Sequence, residues 1–242
     1  MTLPTWNPSP APQQLTLVSQ LLQSAAPAGL PQPMPVLPRP AFGDRLALAS
    51  PAALFRGLVP TSGGISFQGQ SPAQQLASLG QKYGVPNRSG DLNKYQSDVI
   101  KTIIRVKAAQ YGIPEQVALG ISGNESGWKM WKNVSTGQLV EGRNVRDGEL
   151  KSTDWGAMQI NDKAHARAFP RVKQDLEYNI DYALSFLARQ RQSIRGDLGM
   201  GFGDWDRTVA SYNLGHNPSS NRDYEIASRY VGHVNDRADQ LA

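Results

Sequence analysis

Proline divides this chain: 14 of its 17 prolines fall in residues 1–90. Each one removes a backbone donor and disfavours helix at the residue before it. A stretch such as "AAPAGLPQPMPVLPRPAF" is therefore held to extended or polyproline-type backbone. Residues 1–90 are expected to form a Pro-rich, largely irregular extension, and residues 91–242 have to supply the packed core. Two apolar runs in the extension, "QQLTLVSQLLQS" and "DRLALASPAALFRGL", are candidates for short helices that dock on the domain or on a partner.

Charge follows the same division. The first 90 residues hold five Lys/Arg and one acid, Asp44; the remainder holds 20 basic and 19 acidic residues. A nucleic-acid-binding domain carries its basic stripe on the folded part, so no nucleic-acid partner is expected. The absence of cysteine excludes a disulfide framework, a thiolate metal site and a Cys nucleophile. His165, His216 and His233 are too scattered for metal-ligand spacing, and neither a metal nor a cofactor is expected. No run approaches the roughly 18 uninterrupted apolar residues of a membrane span. The opening "MTLPTWNPSPAP" lacks the basic start and apolar run of a secretory signal. If the protein acts outside the cytoplasm, something other than a cleaved signal has to deliver it.

From Gly90 onward helical periodicity takes over. Leu92, Tyr95, Val99, Ile103 and Val106 share a face, with Gly112 and Pro114 ending that helix. Pro114 opens a second helix with Val117, Leu119 and Ile121 on its buried side. The polar stretch "VSTGQLVEGRNVRDGELKSTDW" contains a "DG" turn and predicts a small hairpin or long loop. Helices then resume, with Leu176, Ile180, Ala183, Leu184 and Leu187 on one face. A shorter segment stops at Gly215, and Tyr224, Ala227, Tyr230, Val231 and Val234 line the last helix. The fold class is α+β, mainly α, with one small β insertion.

Within this frame Glu125 is the acid most suited to chemistry. It stands near the end of an apolar helical stretch, "ALGISGNESGW". Partial desolvation there raises a carboxyl pKa toward the range a general acid needs. On the residues alone, an exposed Glu at a helix end is an equally simple reading.

Three motifs add a resemblance. "ESG" at 125–127, "GAMQIN" at 156–161 and "ASYNLG" at 210–215 resemble, in order and rough spacing, the E-S, G-x-M-Q and A-Y-N-x-G motifs of lysozyme-like lytic transglycosylases (SLT-type). The likeness covers roughly residues 100–240. It implies a lysozyme-like domain that cleaves peptidoglycan between N-acetylmuramic acid and N-acetylglucosamine, leaving a 1,6-anhydro product. It implies Glu125 as the single acid/base. Ser126, Met158, Gln159, Tyr212 and Asn213 become substrate-groove residues, with Ser211 standing where the family more often has Ala. For Ser126, bonding backbone at the helix end stays open beside substrate contact. Local penetration of the cell wall is the expected biological use. A murein enzyme without a secretory signal is expected to be delivered with a phage virion to the host periplasm or through a specialised secretion system, with virion or secretion-machine proteins as partners of the extension. Trp128, Trp131 and Trp155 are candidates for stacking on sugar faces, at least one of them lining the groove.

"STDWGAMQIN" also resembles the S-T-D-Y-G-x-x-Q-I-N run of animal-type lysozymes, with Trp155 in place of Tyr. That likeness makes Asp154 a second catalytic carboxylate, so a hydrolytic muramidase using Glu125 and Asp154 stays open beside the transglycosylase. Asp154 as a turn cap beside Gly156 stays open as well. A non-catalytic structural protein with a glycan-binding domain is the remaining alternative, favoured by the long extension.

Overall fold

The computed structural model describes residues 69–241. The chain divides into two units, Met1–Pro60 and Thr61–Ala242, and every described residue belongs to the second. The two apolar runs of the extension lie outside the described residues.

The first helix, α1 (Pro72–Lys82), stands ahead of the boundary expected at residue 90. Pro72 counts toward the proline-rich composition, yet it occupies the helix start, where a missing N–H costs nothing. Ser71 and Gln74 close a capping box over it: the Ser71 hydroxyl accepts from the Gln74 N–H (3.3 Å) and the Gln74 side chain accepts from the Ser71 N–H (2.8 Å). Leu76 and Leu79 are fully buried in the core, each contributing roughly 1.5–3 kcal/mol. The domain therefore takes in α1.

Helix α2 (Leu92–Tyr111) is capped by Asp91 and ends at Gly112, whose φ of 65° is the left-handed stop that glycine adopts without strain. Its buried stripe runs through Tyr95, Val99, Ile100, Ile103, Ile104 and Ala108. Val106, expected on that face, is 39% exposed, because the buried stripe centres on Ile100, Ile103 and Lys107 and leaves Val106 at its edge. Helix α3 (Glu115–Ser126) has Pro114 at its N-cap and is buried all round from Val117 to Gly123.

The polar stretch forms two small antiparallel sheets. One pairs β1 (Trp131–Asn133) with β2 (Gln138–Leu139). The other has the order β3 (Glu141–Arg146), β4 (Glu149–Trp155), β5 (Ile160–Asn161). The β3–β4 hairpin turns on Asp147 and Gly148, with φ of 56° and 77°; two positive φ values in a two-residue loop are what a type I′ turn requires.

After a 3-10 turn (Ala166–Ala168) come α4 (Arg171–Gln174), α5 (Leu176–Ser193), α6 (Asp206–Leu214) and α7 (Asn221–Asp239). Leu176, Ile180, Ala183, Leu184 and Leu187 bury the expected face of α5. An ionic network ties α5 to α1 and α2. Lys107 Nζ lies 2.9 Å from Asp181 and 3.7 Å from Glu177, and Lys82 Nζ lies 2.7 Å from Glu177. Burial alone would raise the Glu177 pKa, but hydrogen bonds from Lys82 and Tyr83 outweigh it and hold the pKa below the ordinary value. Asp206, fully buried, accepts from the Leu198, Met200 and Phe202 N–H groups at 3.1, 2.8 and 2.8 Å, which fixes the loop leading into α6.

Helices α3 and α7 meet at glycine. A Cβ on Gly120 would sit 2.4 Å from the Val234 carbonyl oxygen, and one on Gly123 would sit 3.1 Å from Arg237 Cβ. The absent side chains let α7 close onto α3, and this approach sets the reach of Tyr230 toward Glu125. Among the described residues, no helix is long and apolar enough to cross a membrane. The mainly helical α+β architecture with a small β part agrees with the sequence expectation.

Candidate active site

Glu125 lies in the last turn of α3, which ends at Gly127 in the left-handed conformation (φ 63°). Its side chain faces a cleft of about 520 Å³ between the helical body and the three-stranded sheet. The Tyr230 hydroxyl, from α7, donates to Glu125 Oε1 at 2.5 Å. Burial pushes the Glu125 pKa up, the Tyr230 hydrogen bond opposes this, and the charge of Asp154 adds to it; the result is about 7, against an ordinary 4.5. A carboxyl group so placed carries its proton in a large share of molecules near neutral pH and still releases it readily. Those are the two demands on a general acid that must also act as base.

Asp154 lines the same cleft from β4, the central strand. It is paired with Gly142 on β3 and Asn161 on β5, so it does not cap a turn. Its Oδ1 accepts from the Asn161 amide at 2.7 Å and its Oδ2 from the Asn144 amide at 2.9 Å. The Ser152 hydroxyl accepts from both amides, at 3.1 Å from Asn144 and 2.8 Å from Asn161. Side chains two residues apart on a strand share a face, which brings Ser152 beside Asp154 and points both into the cleft. The two carboxyl groups thus have opposite settings: Glu125 is desolvated with one donor, Asp154 is held by two amides at the cleft surface.

The "GAMQ" turn connects β4 to β5. Gln159 has φ of 47°, a left-handed backbone that is strained for any residue but glycine. Its Nε2 donates to the Gly156 carbonyl at 2.9 Å, and its side chain lines the cleft. Met158, the preceding residue, points the other way and is fully buried. The turn is clamped from behind by Asn179 on α5, itself fully buried. Asn179 accepts from the Met158 N–H (3.0 Å) and donates to the Trp155 and Val172 carbonyls (3.0 and 3.2 Å).

Four of the residues singled out with Glu125 therefore gather at the cleft: Asp154, Gln159, Tyr212 and Asn213. Tyr212 donates its hydroxyl to the Met158 carbonyl at 2.7 Å, so it braces the turn and leaves Glu125 to Tyr230. Burial, reinforced by the nearby Glu125 and Asp154 charges, holds its pKa well above the ordinary value, and it stays a neutral phenol. Ser126 and Met158 are not among the cleft residues. The Ser126 hydroxyl donates to the Ala157 carbonyl (2.9 Å), with the Ser122 carbonyl 3.2 Å away as the alternative acceptor, and accepts from the Lys129 N–H (3.1 Å), which spends it on backbone. Met158 fills core. None of the three tryptophans expected near sugar lines the cleft either. Trp131 is 3% exposed, Trp128 donates to the Leu119 carbonyl at 3.0 Å, and Trp155 lies under Lys173 Nζ at 3.7 Å. The rings at the cleft are Tyr212, His165 and Phe186.

Tyr230, Asn144, Asn161 and Asn179 escaped the sequence reading. Tyr230 sits at a helical core spacing; the available signal was that a buried phenol needs an acceptor for its hydroxyl. The asparagines act across strands or helices, which only the fold reveals.

A polar cleft with a desolvated acid on a helix, facing amides and a carboxylate on a small sheet, is the arrangement of a glycan-cleaving domain of lysozyme-like build. The family model described as Transglycosylase SLT domain matches residues 102–229, more than half of the chain. The chain belongs to the SLT transglycosylase family. The match implies lytic transglycosylation as the family activity and peptidoglycan as the substrate class. No curated protein and no solved structure matches the chain.

Proposed function

We propose that this domain is a peptidoglycan lytic transglycosylase that cleaves the MurNAc–GlcNAc bond and leaves a 1,6-anhydro end. The observation that carries the reading is the Glu125 carboxyl, pushed to a pKa of about 7 by burial and held by Tyr230 at 2.5 Å over a cleft. In the first step Glu125 gives its proton to the glycosidic oxygen as the C1–O bond breaks. Positive charge develops at C1, and the substrate's own N-acetyl oxygen can share it. The Glu125 carboxylate then takes the proton of the muramic acid C6 hydroxyl while O6 bonds to C1, and the acid is regenerated without water. Tyr230 keeps one carboxyl oxygen fixed through both steps. Asp154, Asn144 and Asn161 supply a polar wall, and the Asp154 charge favours the cationic transition state.

One observation favours a second reading. Asp154 has both oxygens engaged by amides and faces the same cleft as Glu125, as a nucleophile or charge stabiliser of a retaining hydrolase does. Mass analysis of digested sacculi separates the two. The transglycosylase reading predicts anhydro-muropeptides from wild type and, at a reduced rate, from Asp154→Asn. Reducing ends from wild type, lost in Asp154→Asn, establish the hydrolase. Binding to sacculi with no product of either kind overturns both.

A further inference from the structure

The Phe186 end of the cleft carries chemistry that bond cleavage does not use. Phe186 on α5 and His165 after β5 both line the cleft, edge to face, with ring centroids 4.9 Å apart. The His165 Nδ1 lies 3.0 Å from the Tyr182 hydroxyl, which ties its ring to α5. Beside them Arg189 is exposed. Its guanidinium carbon is 6.0 Å from the Phe186 ring centroid, and its Nη1 donates to the Ser185 hydroxyl at 3.2 Å. No carboxylate pairs with Arg189 among the described residues, nor with the exposed Lys163 and Arg167 on the segment that carries His165. The acid nearest in sequence, Asp162, is engaged, accepting from the Thr153 N–H at 3.0 Å. His165 itself is held neutral: burial and the Arg189 charge lower its pKa. The charge placed beside the Phe186 ring is the guanidinium.

A neutral glycan strand gives such a cation no partner. Muramic acid, however, bears a short peptide with free carboxylates, and a guanidinium fork beside an aromatic face suits a carboxylate bidentately. We infer that this end of the cleft is a subsite for the stem peptide of the strand being cut. Arg189 meets a stem carboxylate there, and Phe186 with His165 forms the apolar face along which the peptide lies. The inference rests on the peptidoglycan reading above and adds to it a preference for peptide-bearing, anionic strands.

Soluble tetrasaccharide muropeptides, prepared with free stem carboxylates and again with those groups converted to methylamides, provide the test. Wild type is expected to lose about ten-fold in kcat/KM on the methylamides, mostly through KM, the scale of one hydrogen-bonded charge pair. Arg189→Glu loses that much or more on the free-carboxylate form and shows no preference for it, with an unchanged melting temperature. Arg189→Lys, which keeps the charge but loses the fork, falls between. Equal turnover of both forms by wild type, or a preference that survives in Arg189→Glu, overturns the subsite. If wild type cuts neither form, the transglycosylase reading fails. Calorimetric binding of the two forms to wild type then decides the subsite on the same criterion.

Discussion

Glu125→Gln removes about 100- to 10,000-fold of the rate at which sacculi release soluble muropeptides, the range that general acid–base catalysis contributes. Glutamine has the same shape, and its carbonyl still accepts the Tyr230 hydroxyl that now lies 2.5 Å from Glu125 Oε1. The cleft, the turn and the helix packing therefore persist. What is lost is the proton: a carboxamide neither gives one to the glycosidic oxygen nor takes one from the C6 hydroxyl. Both halves of the reaction fail together, and substrate binding to the inactive variant survives. A Glu125→Gln protein that retains activity within ten-fold of wild type contradicts the assignment, since no other acid in the cleft is desolvated in the same way.

The same substitution stabilises the protein, and the gain depends on pH. Glu125 is raised in the folded state to about 7 from an ordinary 4.5. Between those values the native state binds more protons than the unfolded chain, so stability falls as pH rises from about 4.5 to 7 and then levels off. Glutamine has no such titration. A shift of this size corresponds to at most about 3 kcal/mol, because the carboxyl opens onto water in the cleft. In thermal unfolding, Glu125→Gln and wild type should differ by a small constant at pH 4, and the variant should gain on wild type by pH 8, by no more than roughly 6–12 °C. A difference that stays flat from pH 4 to 8 shows that the acid is not perturbed. A buried acid of this kind gives up stability, as a group kept for its chemistry does.

Much of this was legible in the sequence because the signals are local. Helical stripes such as Leu176–Leu187 and the Gly112 and Gly215 stops depend on neighbours a few residues away. So do the hairpin turn at Asp147–Gly148 and the segments bearing Glu125, Gln159 and Asn213. The failures have a common physical origin in side-chain direction and long-range partners. "GAMQ" reads as a single groove-lining unit. The positive φ at Gln159 sends that side chain to the cleft, while Met158 goes to the core. Ser126 follows Glu125 but spends its hydroxyl on backbone. Tyr230 looks like any core position of an amphipathic helix until α3 and α7, meeting at Gly120, bring it to a partner 105 residues away. The amides that hold Asp154 come from strand register, seven and ten residues distant. Helix α1 was hidden because its Pro72 looked like part of a proline-rich extension and is a helix start.

A carboxyl ¹³C titration of glutamate-labelled wild type measures directly whether Glu125 is a raised acid in the folded protein. The Glu125 resonance is identified by its absence from Glu125→Gln. A midpoint near 7 is the predicted result; a midpoint near 4.5, the ordinary value for a solvated glutamate, contradicts the account.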